Sequence, residues 1–173
     1  MGVLPDAEPC LIAVASEKDN LMLAIGEAHR RYSRRINFRE GWKRHLWQGR
    51  FASYILDETY LLACTRYIEM NPVRARLVKN PNEWSWSSAA AHSENKNDTL
   101  VNAEPLMSIV QKNWTDFLLQ QVTPEEQKNL QKHERTGRPL GSLTFIEQLE
   151  KTLGLKLKPG KPGPRPKNKN QIA

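Results

Sequence analysis

The sequence has little of what would place it among secreted, zinc-binding or membrane proteins. Only two cysteines occur in 173 residues, Cys10 and Cys64, and they form no CxxC pair. This content is typical of a reducing compartment and argues against a zinc site built on thiolates. No apolar run approaches the roughly 18 residues that a membrane helix needs. Residues 1–20 also lack the basic start and apolar core of a signal peptide. We therefore expect a cytoplasmic protein without membrane contact.

Basic residues, in contrast, are abundant and unevenly placed. The chain carries a net charge of +7. Residues 29–50 hold eight arginines and lysines against one acid, Glu40, and residues 151–173 hold seven against none. Two basic blocks in an otherwise acidic chain indicate a polyanion as the partner. A solvated basic face is the alternative, and composition alone leaves both interpretations open.

Hydrophobic periodicity predicts several helices and two short strands. Residues 10–15 and 51–56 are apolar enough for strands. A helix is expected from Leu21 to a break at Gly41, with Asp19 or Asn20 as its cap. The apolar residues at helical spacing in that stretch are expected to face the core; they are Leu21, Ile25, Ala28 and Tyr32.

Capping signals predict the later helices. Asp57 is expected to cap one helix, and Asn71 to cap a short helix over residues 73–78 after interrupting the first. Two further helices are expected over residues 107–121 and 123–133. A last helix is expected after a Thr144–Glu147 capping box, with its end at Gly154 and disorder from residue 156 onward.

Four motifs between residues 46 and 88 carry a more specific signal. They are Leu46-Trp-Gln-Gly-Arg-Phe51, Asp57-Glu58, Tyr67-Ile-Glu-Met-Asn-Pro-Val-Arg74 and Trp84-Ser-Trp-Ser-Ser88. In order and spacing they resemble the REP-associated tyrosine transposases, a family of single-tyrosine, HUH-type enzymes. Residues 136–141 and 161–167 resemble the C-terminal part of many members. The resemblance covers nearly the whole chain from about residue 10.

The resemblance implies a function in DNA transposition. Members cut and rejoin single-stranded DNA at hairpin-bearing sites, and a helix-borne tyrosine becomes linked covalently to the 5′ phosphate. By position Tyr67 is that tyrosine, and Asn71 is the polar residue that completes the metal site. The two residues are spaced i, i+4, which places them on one helical face. The alternatives are that Tyr67 is only a half-buried aromatic and Asn71 only a helix cap.

The divalent metal of the family, such as magnesium, would assist a tyrosine whose pKa is about 10 by withdrawing charge from the scissile phosphate. The two histidines that hold it in relatives are absent here, because Glu8 and Cys10 occupy their positions. Carboxylates suit magnesium, whereas a thiol does not. The four histidines of the chain form no His-x-His pair; they are His29, His45, His92 and His133.

From these departures we expect no metal site, impaired strand cleavage and an N-terminally truncated copy of the family. The alternatives are an inactive remnant that binds hairpin DNA and a decayed fragment without a stable fold. The partner is expected to be single-stranded or hairpin DNA. The chain is expected to be a monomer or a homodimer, and the sequence does not separate these two.

The expected DNA-binding residues combine cations, which bind phosphates, with aromatics that stack on unpaired bases for about 1–3 kcal/mol per base. They are Arg30, Arg31, Arg34, Arg35, Lys43, Arg44, Trp47 and Arg50. For Trp42 and Trp47, a role in anchoring the loop to the core is the alternative. Trp84 and Trp86 are expected to lie in the core.

The family resemblance implies an α+β fold with helices on one face of an antiparallel sheet. We expect a helix-rich remnant of this ferredoxin-like transposase domain, with a reduced antiparallel sheet. Residues 1–92 are expected to form a truncated catalytic domain and residues 93–154 a C-terminal helical region. Residues 155–173 are expected to be a basic, disordered tail.

Overall fold

Helices make up nearly all of the regular structure. The computed structural model describes residues 20–47, 53–110 and 112–160. In chain order the helices are α1 (Asn20–Glu40), α2 (Glu58–Glu69), α3 (Asn71–Arg74), a 3-10 helix (Pro81–Glu83), α4 (Ala89–Ser93), α5 (Glu104–Ile109), α6 (Trp114–Leu119), α7 (Pro124–Thr136) and α8 (Leu143–Leu153). Within these three ranges, no helix is both long and apolar enough to span a bilayer.

The expected α+β fold with an antiparallel sheet is wrong for the described part of the chain, which contains no strand. One isolated parallel bridge joins Leu56 to Leu140. The Leu140 N–H donates to the Ile55 carbonyl at 2.8 Å, and the Asp57 N–H donates to the Leu140 carbonyl at 3.0 Å. This ladder does not extend because α2 begins at residue 58 and α8 at residue 143, which turns both segments away. The strand expected over residues 10–15 lies outside the described residues.

Local signals set several helix ends as expected. The Asp57 side chain caps α2 by accepting a hydrogen bond from the Tyr60 N–H at 3.0 Å. Thr123 and Glu126 form a capping box at the start of α7. Gly41 follows the last residue of α1 in the left-handed conformation that glycine adopts without steric cost. The cap at Asp57 and the break at Gly41 are confirmed, and the Thr123–Glu126 box, which was not predicted, has the same cause, because caps depend on neighbours in sequence.

Other helix predictions are wrong in detail. Met70, not Asn71, is the N-cap of α3, so the expected helix over residues 73–78 is replaced by Asn71–Arg74. The single helix expected over residues 107–121 is divided, because Val110 leaves the helical conformation and the Asn113 side chain caps α6. Ser142, rather than Thr144, caps α8 by accepting from the Phe145 N–H at 3.2 Å.

Helix α2 lies at the centre of the core and packs on two sides. On one side, Leu62 and Met70 pack against a buried cluster from α6 and the turn before it; the cluster is Val110, Trp114, Phe117 and Leu118. On the other side, Tyr67 and its neighbours pack around Cys64, Leu130 and Leu140. Burial of this apolar surface contributes about 25 cal/mol per Å². Tyr67 is therefore held between the core and the surface.

Candidate nucleic-acid interface

The arginines of α1 share an exposed surface of one long helix. Arg30, Arg31, Arg34 and Arg35 are all exposed. Since residues three and four apart lie on the same side of a helix, Arg30 and Arg34 form one row and Arg31 and Arg35 a neighbouring row. The basic cluster expected from the sequence is thus a continuous face, which we call the arginine face.

Two of these four arginines already have an anionic partner. Arg30 Nε donates to Glu27 Oε2 at 2.6 Å, and Arg31 Nε donates to Glu27 Oε1 at 2.7 Å. These hydrogen bonds, first from Arg30 and then from Arg31, lower the pKa of Glu27 to about 2. Glu27 therefore stays ionised at neutral pH and partly offsets the charge of both arginines. The i, i+3 and i, i+4 spacing could have revealed these pairs in the sequence.

Arg34 and Arg35 differ from that pair. Neither forms an ion pair with any residue in the described ranges. Their guanidinium groups are solvated and can bind phosphate without first releasing a carboxylate. A planar guanidinium also matches the geometry of phosphate oxygens. Arg34 and Arg35 are therefore the strongest phosphate-binding candidates on α1.

Phe38 is a candidate interface residue that the sequence analysis did not identify. Its side chain is 91% exposed. It follows Arg30 and Arg34 at i+8 and i+4, so it continues their row on the arginine face. A phenylalanine in open solvent at the end of a cationic row provides a surface on which an unpaired base can stack. The spacing of Arg30, Arg34 and Phe38 is the signal that could have identified it.

The segment after α1 folds back onto another side of the helix. Trp47 Nε1 donates to Ser33 Oγ at 2.9 Å, and its indole stacks on His29 with ring centroids 4.0 Å apart. The Asn37 side chain donates to the Arg44 carbonyl at 2.9 Å. These contacts match the anchoring interpretation of Trp47, which remains 38% exposed.

Two other expected DNA-binding residues, Lys43 and Arg44, lie in this returning segment. The Arg44 guanidinium lies over the Trp42 ring, 4.4 Å from its centroid, and this cation–π contact orders both side chains. Trp42 is itself exposed, so the pair forms a second aromatic and cationic surface. Lys43 is exposed between them. Arg50 lies outside the described residues.

Tyr67 and Asn71 lie near the junction of α2 and α3, where the backbone changes helix at Met70. Tyr67 is half-buried against the Cys64 cluster. The Arg74 guanidinium covers its ring, 4.6 Å from the centroid. Its hydroxyl has no hydrogen-bond partner among the described residues. Asn71 is half-buried and does not cap α3.

No metal-binding group accompanies Tyr67 in the part of the chain that the structure describes. Groups of three or more histidine, cysteine, aspartate or glutamate side chains that could hold an ion are absent there. Glu8 and Cys10, which take the place of the family's histidines, lie outside the described residues. The position that the resemblance gives to the metal is therefore untested.

A buried carboxylate two residues after Tyr67, that of Glu69, was not identified in the sequence analysis. It is 1% exposed and accepts hydrogen bonds from Ser88 Oγ at 2.5 Å and Trp114 Nε1 at 2.8 Å. His92 Nδ1 lies 2.7 Å from its Oε1 atom. This network joins α2 to α4 and α6 and fixes the end of the helix that carries Tyr67.

The expectation that both tryptophans of the Trp84–Ser88 turn are core residues is wrong for Trp86. Trp84 is half-buried, whereas Trp86 is 87% exposed. The turn directs the two side chains differently because the 3-10 helix ends just before Trp84 and α4 begins only at Ala89. Sequence spacing within so short a turn does not define which side chain is buried.

The chain matches no known family model, no curated protein and no solved structure. The transposase resemblance therefore depends on the four motifs alone and stays a prediction.

Proposed function

We propose that this protein binds single-stranded or hairpin DNA through the arginine face of α1, as a cytoplasmic member of the tyrosine transposase family. The observation that carries the proposal is the row of Arg30, Arg34 and Phe38, with Arg35 in the neighbouring row. Arg34 and Arg35 form no ion pair with any residue in the described ranges. Cations on a helix bind the phosphate backbone without regard to sequence. An exposed aromatic among them favours unpaired bases, because bases in a duplex are already stacked.

Single substitutions separate the two parts of this interface. Phe38→Ala is expected to weaken binding of a fluorescein-labelled oligothymidylate strand by about 5- to 150-fold, the equivalent of one lost base stack. The dependence of affinity on salt should not change, because stacking releases no counterions. The double variant Arg34→Ala, Arg35→Ala is expected to reduce the slope of log affinity against log salt concentration by about 1.4, because each of the two lost phosphate contacts contributes about 0.7 on a single strand. Fluorescence anisotropy at several salt concentrations measures both quantities.

Leu100→Ala provides a matched control, since Leu100 is an apolar side chain that is 95% exposed in a loop away from α1. This variant should bind as the parent does. If both α1 variants also bind as the parent does, the arginine face is not the interface. A parent protein that does not bind the strand at low salt would contradict the proposed function itself.

Strand cleavage through Tyr67 is the second candidate function. It is favoured by the Tyr67 hydroxyl, which lacks a hydrogen-bond partner in the described ranges, and by the Arg74 guanidinium, which covers the face of the same ring. A cation close to a tyrosine can hold the phosphate that the hydroxyl attacks. The weakness of this candidate is Cys10, which replaces a histidine and is a poor ligand for magnesium.

Incubation of the full chain with hairpin DNA and magnesium tests this second function. We expect DNA binding without a covalent product. The measurement is a denaturing gel, with mass spectrometry of any DNA-linked peptide. Tyr67→Phe keeps the ring under Arg74 and removes only the nucleophile. An adduct that the parent forms and Tyr67→Phe does not would show that the chain is an active transposase.

A further inference from the structure

A second basic surface lies at the end of α3 and in the turn that follows it. An open cleft of about 530 Å³ is lined by Val73, Arg76, Leu77, Val78, Lys79 and Glu83. Helix α3 connects it to Tyr67, because Arg74 covers the tyrosine ring and the adjacent Val73 lines the cleft.

The charges in this cleft favour an anion. Arg76 and Lys79 are exposed and form no ion pair with any described residue. The one carboxylate, Glu83, accepts hydrogen bonds from Asn80 Nδ2 at 2.7 Å and from the Lys79 N–H at 3.1 Å. These donors, Asn80 first, lower the pKa of Glu83. Because Glu83 is bound to its own turn, both cations remain available to a ligand.

The backbone at Arg76 provides an independent observation. Helix α3 ends in a Schellman motif, in which the Arg76 N–H donates to the Val73 carbonyl and the Leu77 N–H to the Pro72 carbonyl, both at 2.9 Å. Arg76 is the left-handed residue of this motif, with φ +58°. Glycine is the usual residue there, since a side chain in this conformation is strained.

The other left-handed positions show the contrast. Five described residues have a positive φ, and the other four are glycine or asparagine; they are Gly41, Asn95, Gly137 and Gly154. Asparagine tolerates the conformation better than most residues do. An arginine at such a position keeps a strained backbone that glycine would relieve. Strain of this kind is often found at ligand sites, where the side chain is needed.

We infer that this cleft binds a phosphodiester group of the DNA strand, with Arg76 and Lys79 as the phosphate ligands. Val73 and Leu77 provide apolar surface for the attached sugar or base. This inference rests on the proposed DNA binding and adds a second contact, on the helix next to Tyr67.

Arg76→Gly tests the inference without the risk of unfolding. Relief of the left-handed strain should leave the melting temperature equal to or above that of the parent. Loss of the guanidinium should weaken binding of the labelled oligothymidylate about two- to five-fold and reduce the salt slope by about 0.7. Asn95→Gly is the matched control, because it makes the same change at a left-handed position outside the cleft. It should bind DNA as the parent does.

The outcome separates this inference from the proposed function. If the α1 double variant weakens binding but Arg76→Gly and Lys79→Ala do not, the cleft is not a phosphate site and the α1 interface stands. If Asn95→Gly weakens binding as much as Arg76→Gly, the effect comes from the backbone and the inference is wrong. If the parent does not bind the strand, the proposed function fails first.

Discussion

Replacing Glu69 with alanine is expected to lower the free energy of unfolding by about 3–5 kcal/mol, the cost of breaking a buried polar pair. The Glu69 carboxylate accepts hydrogen bonds from Ser88 and Trp114 and contacts His92, in a site that is almost closed to solvent. Alanine leaves these groups buried without partners, and each unsatisfied group costs about 1–3 kcal/mol. Urea unfolding followed by circular dichroism measures the change. The loss should be cooperative, because the network joins α2 to both α4 and α6.

Glu69→Gln is the control that keeps the shape of the side chain. The glutamine carbonyl can accept from Trp114 Nε1, while its amide group donates to Ser88 Oγ and to a neutral His92 with an unprotonated Nδ1. We expect a loss of about 1–2 kcal/mol, well below that of alanine. If alanine and glutamine have equal effects, the loss comes from the charge and not from the hydrogen bonds. A loss below about 0.5 kcal/mol for alanine, as at a surface site, would contradict the role of the network.

Glu69 also shows why the centre of the fold was not predictable from the sequence. It lies inside the Tyr67–Arg74 motif, but no neighbour marks it as buried. Its three partners are 19, 23 and 45 residues away. Burial of an acid depends on those long-range contacts, and a single glutamate on a helix is usually solvated. Local patterns cannot supply this information.

Helix ends were predicted better than pairing between segments. Asp57 acts as the expected cap because a cap involves residues two or three positions away. The expected sheet required distant partners for residues 53–56. In the described chain they find one, at Leu140, and the pairing stops after a single bridge. The apolar character of this segment instead serves packing, since Tyr54 and Leu56 lie against the Cys64 cluster.

The interface was predicted in part. Exposure of Arg34 and Arg35 is confirmed. The apolar stripe expected to face the core is wrong at Ala28 and Tyr32, which are exposed. Phe38 and Glu27 lie at the same helical spacing as the arginines, and neither was predicted to be part of this surface. Trp47 could not be assigned from sequence, since its partners His29 and Ser33 are on the preceding helix and the turn between them sets the contact. The direction of a returning segment is a tertiary property.

Asp57→Ala is expected to lower the free energy of unfolding by about 1.5–2.5 kcal/mol. Its Oδ1 atom caps α2, a contribution of about 1 kcal/mol. Its Oδ2 atom accepts from the Ser142 N–H at 2.8 Å and so ties the start of α2 to the start of α8. Loss of that acceptor costs about 0.5–1.5 kcal/mol, the net contribution of a typical hydrogen bond, because water can reach the exposed Ser142. Urea unfolding measures the total, and hydrogen exchange of the Ser142 amide reports the lost bond.

Asp57→Ser separates the two roles of this carboxylate. Serine can cap α2 but has one oxygen on a shorter side chain, so it cannot also reach Ser142. The variant should lose only the hydrogen bond from the Ser142 N–H. Its melting temperature should therefore lie between those of Asp57→Ala and the parent. The fit around the carboxylate is close, since a Cβ on Gly141 would lie 2.7 Å from Asp57 Oδ2 and 2.6 Å from Phe145 Cδ1. If Asp57→Ser is as stable as the parent and the exchange of the Ser142 amide does not change in either variant, Asp57 acts only as a cap, and α8 is held to α2 by other contacts.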